Sequence, residues 1–131
     1  MAKKDIDWGS LGFGYIETDY RYLSSFKDGK WDEGALITDP NVTLNECACV
    51  FQYAQTVFEG LKAYTTEDGR TVTFRPDLNA ERINQSAARL KMPVLPEGRF
   101  IEAVKKVVKA NEAWVPPFGS GATLYVRPYI M

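Results

Sequence analysis

Histidine is missing from all 131 residues, which removes the side chain most often used as general base, proton shuttle and metal ligand near neutral pH. Catalysis by this chain would have to rest on lysine, carboxylates, tyrosine or a cofactor. Cysteine is scarce: Cys47 and Cys49 stand one residue apart, a spacing that suits neither a disulfide nor the usual zinc pairs. They read as reduced side chains that pack like small hydrophobes, and no metal site is expected. No run approaches the roughly 20 apolar residues that a bilayer span needs. The start, Met1-Ala2-Lys3-Lys4-Asp5, is basic with no apolar stretch behind it, unlike a secretory leader, so a cytoplasmic location is the expectation. An excess of one charge is lacking too. Sixteen Lys and Arg against seventeen Asp and Glu leave a formal net charge of -1, and no long-range positive field exists to gather phosphate backbones. Lys105, Lys106 and Lys109 cluster, but without an aromatic stacking motif they read as a solvated helix face rather than a nucleic-acid site. Neither an internal repeat nor a low-complexity tract occurs.

What is present suits one compact domain: 45% hydrophobic and 25% charged residues are enough to bury a core without resembling a membrane protein. Residues Met1 to Gly14 carry Gly9, Gly12 and Gly14 among aromatics and suit a loop laid over a surface. From Tyr15 to Leu36, two strand-like runs flank Lys27-Asp28-Gly29-Lys30, and Asp-Gly is a strong hairpin signal. By the same reasoning Leu61 to Thr66 and Thr71 to Phe74 form a second hairpin around Glu67-Asp68-Gly69-Arg70. Between them, Ile37 to Val57 has no clean period beyond a short helix within Ala48 to Thr56. Asp77 to Lys91 reads as a helix with Ile83, Ala87 and Leu90 on one stripe, ended by Pro93. Another runs from Glu97 to about Trp114 with Phe100, Val104, Val107 and Val108 facing inward. Pro116-Pro117-Phe118-Gly119-Ser120-Gly121 forces a turn, and Ala122 to Met131 reads as a final strand. The expected fold class is α+β: a mostly antiparallel sheet built from two hairpins and a final strand, packed with two main helices.

In the last strand, a period of two puts Tyr125, Arg127 and Tyr129 on one face and Leu124, Val126 and Ile130 on the other. An arginine between tyrosines offers a fork suited to a carboxylate or phosphate; pairing with a nearby Asp or Glu is the plainer alternative. Pro128 places this strand at an edge or a bulge. Arg75, between Phe74 and Pro76, falls at a strand end beside a helix N-terminus, where anions are often held, though a surface salt bridge would also satisfy it. Gly60 allows either a close backbone approach to a ligand or a tight turn. A Schiff-base role for Lys62 is the obvious one to weigh, yet nothing near it in sequence signals the desolvation that would activate it. Glu59 has the chemistry for general acid or base work, but no second carboxylate stands at a fixed spacing.

Tyr53, Val57-Phe58-Glu59-Gly60-Leu61-Lys62-Ala63-Tyr64, Phe74-Arg75-Pro76, Asn79, Arg82, Trp114-Val115-Pro116 and Leu124-Tyr125-Val126-Arg127-Pro128 occur in this order. Together they resemble the branched-chain amino-acid aminotransferases, fold-type IV enzymes dependent on pyridoxal 5'-phosphate, from about Phe13 to the last residue. The resemblance implies that residues 1–131 form the N-terminal small domain of such an enzyme. It implies that Arg75 binds the cofactor phosphate and that Phe13, Tyr53, Phe58 and Tyr125 line the pocket for a Leu, Ile or Val side chain. Arg127 would meet the far carboxylate of glutamate or 2-oxoglutarate. The parent would be a homodimer acting on branched-chain amino acids and their 2-oxo acids. The family's Schiff-base lysine lies in a second, large domain outside this chain, so no catalytic residue is expected here. The fragment alone should bind no cofactor and catalyse nothing.

The chain stops at Met131 inside an apolar run, which is expected of a severed domain that exposes the Tyr125, Arg127 and Tyr129 face. The alternative is a stand-alone binding or interaction module that kept the pocket wall and lost the chemistry.

Overall fold

The two Asp-Gly dipeptides turn the chain where the sequence places them. The computed structural model describes residues 1–131. The N-terminal stretch is a loop with one 3-10 turn, Trp8–Ser10, whose Asp7 cap accepts the Gly9 N–H at 3.1 Å. The first hairpin is nested: β1 (Arg21–Leu23) pairs with β4 (Ala35–Ile37), and β2 (Phe26–Lys27) pairs with β3 (Lys30–Trp31). Asp28 and Gly29 both have positive φ, 52° and 80°, as a two-residue turn matched to strand twist requires.

A short helix, α1 (Cys49–Tyr53), follows and ends on Ala54 in the left-handed region. It buries no residue, so Cys47 and Cys49 are free thiols at the surface. The expectation that they pack as small hydrophobes is corrected: with no element covering α1, there is no interior for them to enter.

Next come β5 (Val57–Phe58), β6 (Leu61–Thr65) and β7 (Thr71–Thr73), then α2 (Pro76–Arg89) and α3 (Arg99–Ala110). A 3-10 turn at Glu112–Trp114 leads to β8 (Leu124–Val126) and β9 (Tyr129–Ile130). Strands β7, β6 and β8 form one antiparallel sheet in that order, and β5 pairs with β9. The architecture is α+β, with β8 at the sheet edge.

The expected unbroken strand from Ala122 to Met131 is two strands. The register is nevertheless the same on both sides of the gap, with Phe58 opposite Tyr129 and Leu61 opposite Val126. The gap falls at Glu59-Gly60 and Arg127-Pro128. Glu59 N–H donates to the Pro128 carbonyl at 2.8 Å, but Pro128 has no N–H to return, so the ladder loses one bond there.

Both helices end earlier than their patterns suggest. Leu90 lies past the last residue of α2 and is 40% exposed rather than on the inner stripe. Lys91, at φ 60°, turns the chain so that Met92 N–H reaches the Ala87 carbonyl at 2.8 Å, a C-cap geometry. At the end of α3, the buried Asn111 side chain donates to the carbonyls of Val107 and Tyr20, and its oxygen accepts the Tyr20 N–H. That bond set competes with further helix and ties the first hairpin to α3. The core joins Val57, Leu61 and Ala63 of the sheet to Ile83 and Ala87 of α2 and to Phe100, Val104 and Val108 of α3. No helix is long and apolar enough to cross a membrane.

Candidate functional site

Burial alternates along β5 and β6: Val57, Glu59, Leu61 and Ala63 face inward, while Phe58 and Lys62 face out. Tyr125, Arg127 and Tyr129 face out in the same way from β8 and β9, as the period of two implied. The two outward sets meet. The Arg127 guanidinium lies 4.4 Å from the Phe58 ring centroid and 5.1 Å from that of Tyr125. Its Nε and Nη2 donate to the Tyr125 hydroxyl at 3.0 and 2.8 Å. Such cation–π contacts contribute about 0.5–1 kcal/mol each at exposed sites. No carboxylate pairs with Arg127, so the plainer alternative of a local ion pair is not what the fold uses. The remaining guanidinium N–H groups have no protein acceptor and are open to an oxyanion.

Gly60 is needed here for space. A β-carbon on it would collide with the Tyr125 hydroxyl and come within 3.1 Å of Tyr125 Cζ. The tyrosine therefore sits over bare backbone, and Gly60 serves a close approach, by a side chain of the chain itself.

Arg75 heads α2 in the left-handed region, φ 45° and ψ 53°. The following proline disfavours the right-handed helical conformation at this position. Its fork is taken by Asp77, with Nε to Oδ1 at 3.0 Å and Nη2 to Oδ2 at 2.7 Å. The pair holds Asp77 below the usual carboxylate range and Arg75 further above its own. A surface salt bridge is thus the observed state, with the arginine half exposed.

Glu59 is a structural carboxylate. Its side chain is 3% exposed and takes both prongs of Arg82, at 2.5 and 2.7 Å, and the Asn79 amide at 2.8 Å. Arg82 chiefly, and Asn79 after it, hold the carboxyl below its ordinary range against the opposing effect of burial. With both oxygens engaged, it is not free for acid or base work. The partners are a helix i, i+3 pair, which shares one face; that spacing marks a donor face on α2 without naming what it meets. Lys62 is exposed on β6, with none of the burial an activated lysine needs.

Phe58, Tyr125 and Arg127 are therefore brought together, whereas Phe13 and Tyr53 are not. Phe13 is 110% exposed and packs against nothing, and Tyr53, on the last turn of α1, is 80% exposed. Among the basic residues of α3, Lys106 pairs with Glu102 at 2.6 Å. No group of three potential metal ligands exists.

These features define a class: a small α+β unit that presents an exposed arginine stacked on aromatics with part of its donor set left open. No protein-family model matches the chain. Curated relatives do. The branched-chain-amino-acid aminotransferase of Haemophilus influenzae is 53% identical over 128 residues, which is 98% of this chain and 37% of that protein. Its counterpart in Helicobacter pylori is 43% identical over 128 residues, 98% of this chain and 38% of that protein. The branched-chain-amino-acid transaminase 1 of Bacillus subtilis is 42% identical over 130 residues, 98% and 36% respectively. The chain is homologous to part of the branched-chain amino-acid aminotransferases, consistent with their N-terminal portion. It spans a little over a third of the length of these relatives.

Proposed function

We propose that this chain is the N-terminal small domain of a branched-chain amino-acid aminotransferase, supplying one wall of the substrate pocket and an arginine for the cofactor phosphate. The observation that carries this reading is Arg127, stacked on Phe58 and Tyr125 with open donors and no acidic partner. Aminotransfer between Leu, Ile or Val and 2-oxoglutarate asks one pocket to take an aliphatic branch and then a carboxylate. Aromatic faces accept the branch, and the guanidinium beside them accepts the carboxylate.

The group implied is pyridoxal 5'-phosphate, which when bound supplies an electron sink for the substrate carbanion. Arg75 fits its phosphate: the fork already holds a carboxylate two-pronged at the solvent-facing head of α2, and a dianion would draw it from Asp77. Phe13 and Tyr53 would complete the pocket once a further surface covers them. The lysine that links the cofactor lies in a large domain outside this chain, and the parent acts as a homodimer on branched-chain amino acids, their 2-oxo acids and glutamate.

The 131-residue chain alone should bind no cofactor and be inactive. Incubation with pyridoxal 5'-phosphate, leucine and 2-oxoglutarate should give no glutamate above background. Borohydride treatment should leave no pyridoxyl-lysine in its peptides. Turnover, or one specifically trapped lysine, overturns the inactivity. In the gene's whole reading frame, Arg127→Ala should raise the KM for 2-oxoglutarate far more than that for leucine. A frame that ends at Met131 gives the lead to a stand-alone binding module.

A further inference from the structure

The inward row of β5 and β6 is apolar at Val57, Leu61 and Ala63 but holds a carboxylate at Glu59, all four buried. For packing alone that choice is poor, because even a buried charge that is paired and hydrogen-bonded often contributes no more than a hydrophobe of similar size. What such a group can add is a fixed geometry.

Its neighbourhood shows where fixed geometry is needed. Glu59-Gly60 is the stretch where the ladder loses a bond, because Pro128 cannot donate. Tethers converge on that stretch from α2: Arg82 and Asn79 hold the Glu59 carboxylate, and Asn79 also donates to the Gly60 carbonyl at 3.3 Å. The backbone of Glu59 is held from the other side by Pro128. Immediately outward, Phe58 carries the Arg127 guanidinium and Gly60 seats the Tyr125 hydroxyl.

We propose that Glu59 is a positioning residue: through Arg82 and Asn79 it fixes the weak point of the ladder and so sets the separation of Phe58 and Gly60 from Arg127 and Tyr125. Because Arg75 heads the same helix, the clamp also ties Arg75 to the aromatic wall. That this wall belongs to a substrate pocket rests on the function proposed above; the geometric claim does not.

The test uses the 131-residue chain labelled with 15N and reads two signals by NMR: solvent exchange of the Arg127 Nε–H and its nuclear Overhauser contact with the Phe58 ring. In Glu59→Gln the exchange should quicken by about tenfold, the worth of one net hydrogen bond, and the Phe58 contact should fade. Ile83→Val removes a buried methyl from the core face of α2 without touching the clamp, and should leave both signals as in the wild type. Unchanged Arg127 signals in a folded Glu59→Gln chain, or an equal loss in Ile83→Val, overturn the proposal. If Glu59→Gln does not fold, Asn79→Ala keeps the charge pair and should show a smaller loss; wild-type signals there count against the clamp. Neither readout involves substrate or cofactor, so the turnover experiments can fail while this one succeeds, and the reverse.

Discussion

The two hairpins share their turn chemistry and little else. Strands β1 to β4 bury no residue, and their inner break is stitched by the Asp32 carboxylate, which accepts from Ser24, Ser25 and Gly34. In the second, strand β6 buries Leu61 and Ala63 against the main helices, and the strands beside it, β5 and β8, carry Phe58 and Tyr125 of the wall on the opposite face. An Asp-Gly turn therefore specifies that a chain reverses, while the role of the hairpin is set by what its inner face meets. The arginines divide in the same way. Arg21 spends its fork on the backbone carbonyls of Asp39 and Asn41, whereas Arg127 keeps donors free.

If the sheet around the second hairpin carries the stability, the Glu59 clamp beside it should show the largest effect. Arg82→Ala strands the buried Glu59 and should cost about 3 kcal/mol, the lower end for a broken buried pair because the arginine itself is largely exposed, measured by urea unfolding with an unchanged m-value. Acid should act on the same contact. Because Arg82 depresses the folded-state value of Glu59 below its ordinary 4.5, the stabilisation is complete above that pH. It is lost as pH falls through the folded value. Thermal melts between pH 6 and about pH 3 should therefore fall less steeply for Arg82→Ala than for the wild type; parallel curves would remove Glu59 from the account.

Gly60→Ala should come next, at about 2 kcal/mol for overpacking against Tyr125, with a changed tyrosine signal in near-ultraviolet circular dichroism. In the first hairpin, Gly29→Ala places a side chain at φ 80° and should cost only about 1 kcal/mol. A larger loss there than at Gly60 would invert the comparison. Smallest of all, Lys106→Ala removes an exposed i, i+4 pair with Glu102 and should shift stability by less than about 0.5 kcal/mol.

Features set by neighbours in sequence were legible in advance. Both turns, both main helices and the outward set of Tyr125, Arg127 and Tyr129 follow from turn residues and periodicity. The contest at Arg75 was legible too, since Asp77 stands two residues away. Features set by tertiary partners were not. Val57-Phe58 is too short to read as a strand until β9 lies beside it, and nothing in a linear pattern shows that Glu59 faces α2. The helix ends were missed because Lys91 and Asn111 stop them through backbone geometry and side-chain bonds rather than through a break in the apolar stripe. Phe13 and Tyr53 came from family resemblance alone, and within this chain no packing draws them to the wall.

The missing donor at Pro128 also bears on errors of folding. Because the strands keep one register through the gap, sliding one past the other by a single residue flips the strand that moves: either Arg127 turns inward among Val57, Leu61 and Ile83, or Glu59 turns out to water. The first buries a second guanidinium beside a carboxylate whose oxygens Arg82 and Asn79 already hold, and the second tears that carboxylate away from them. The proline gap and the carboxylate beside it thus act as an index mark: a mispaired ladder has no way to hide its mistake.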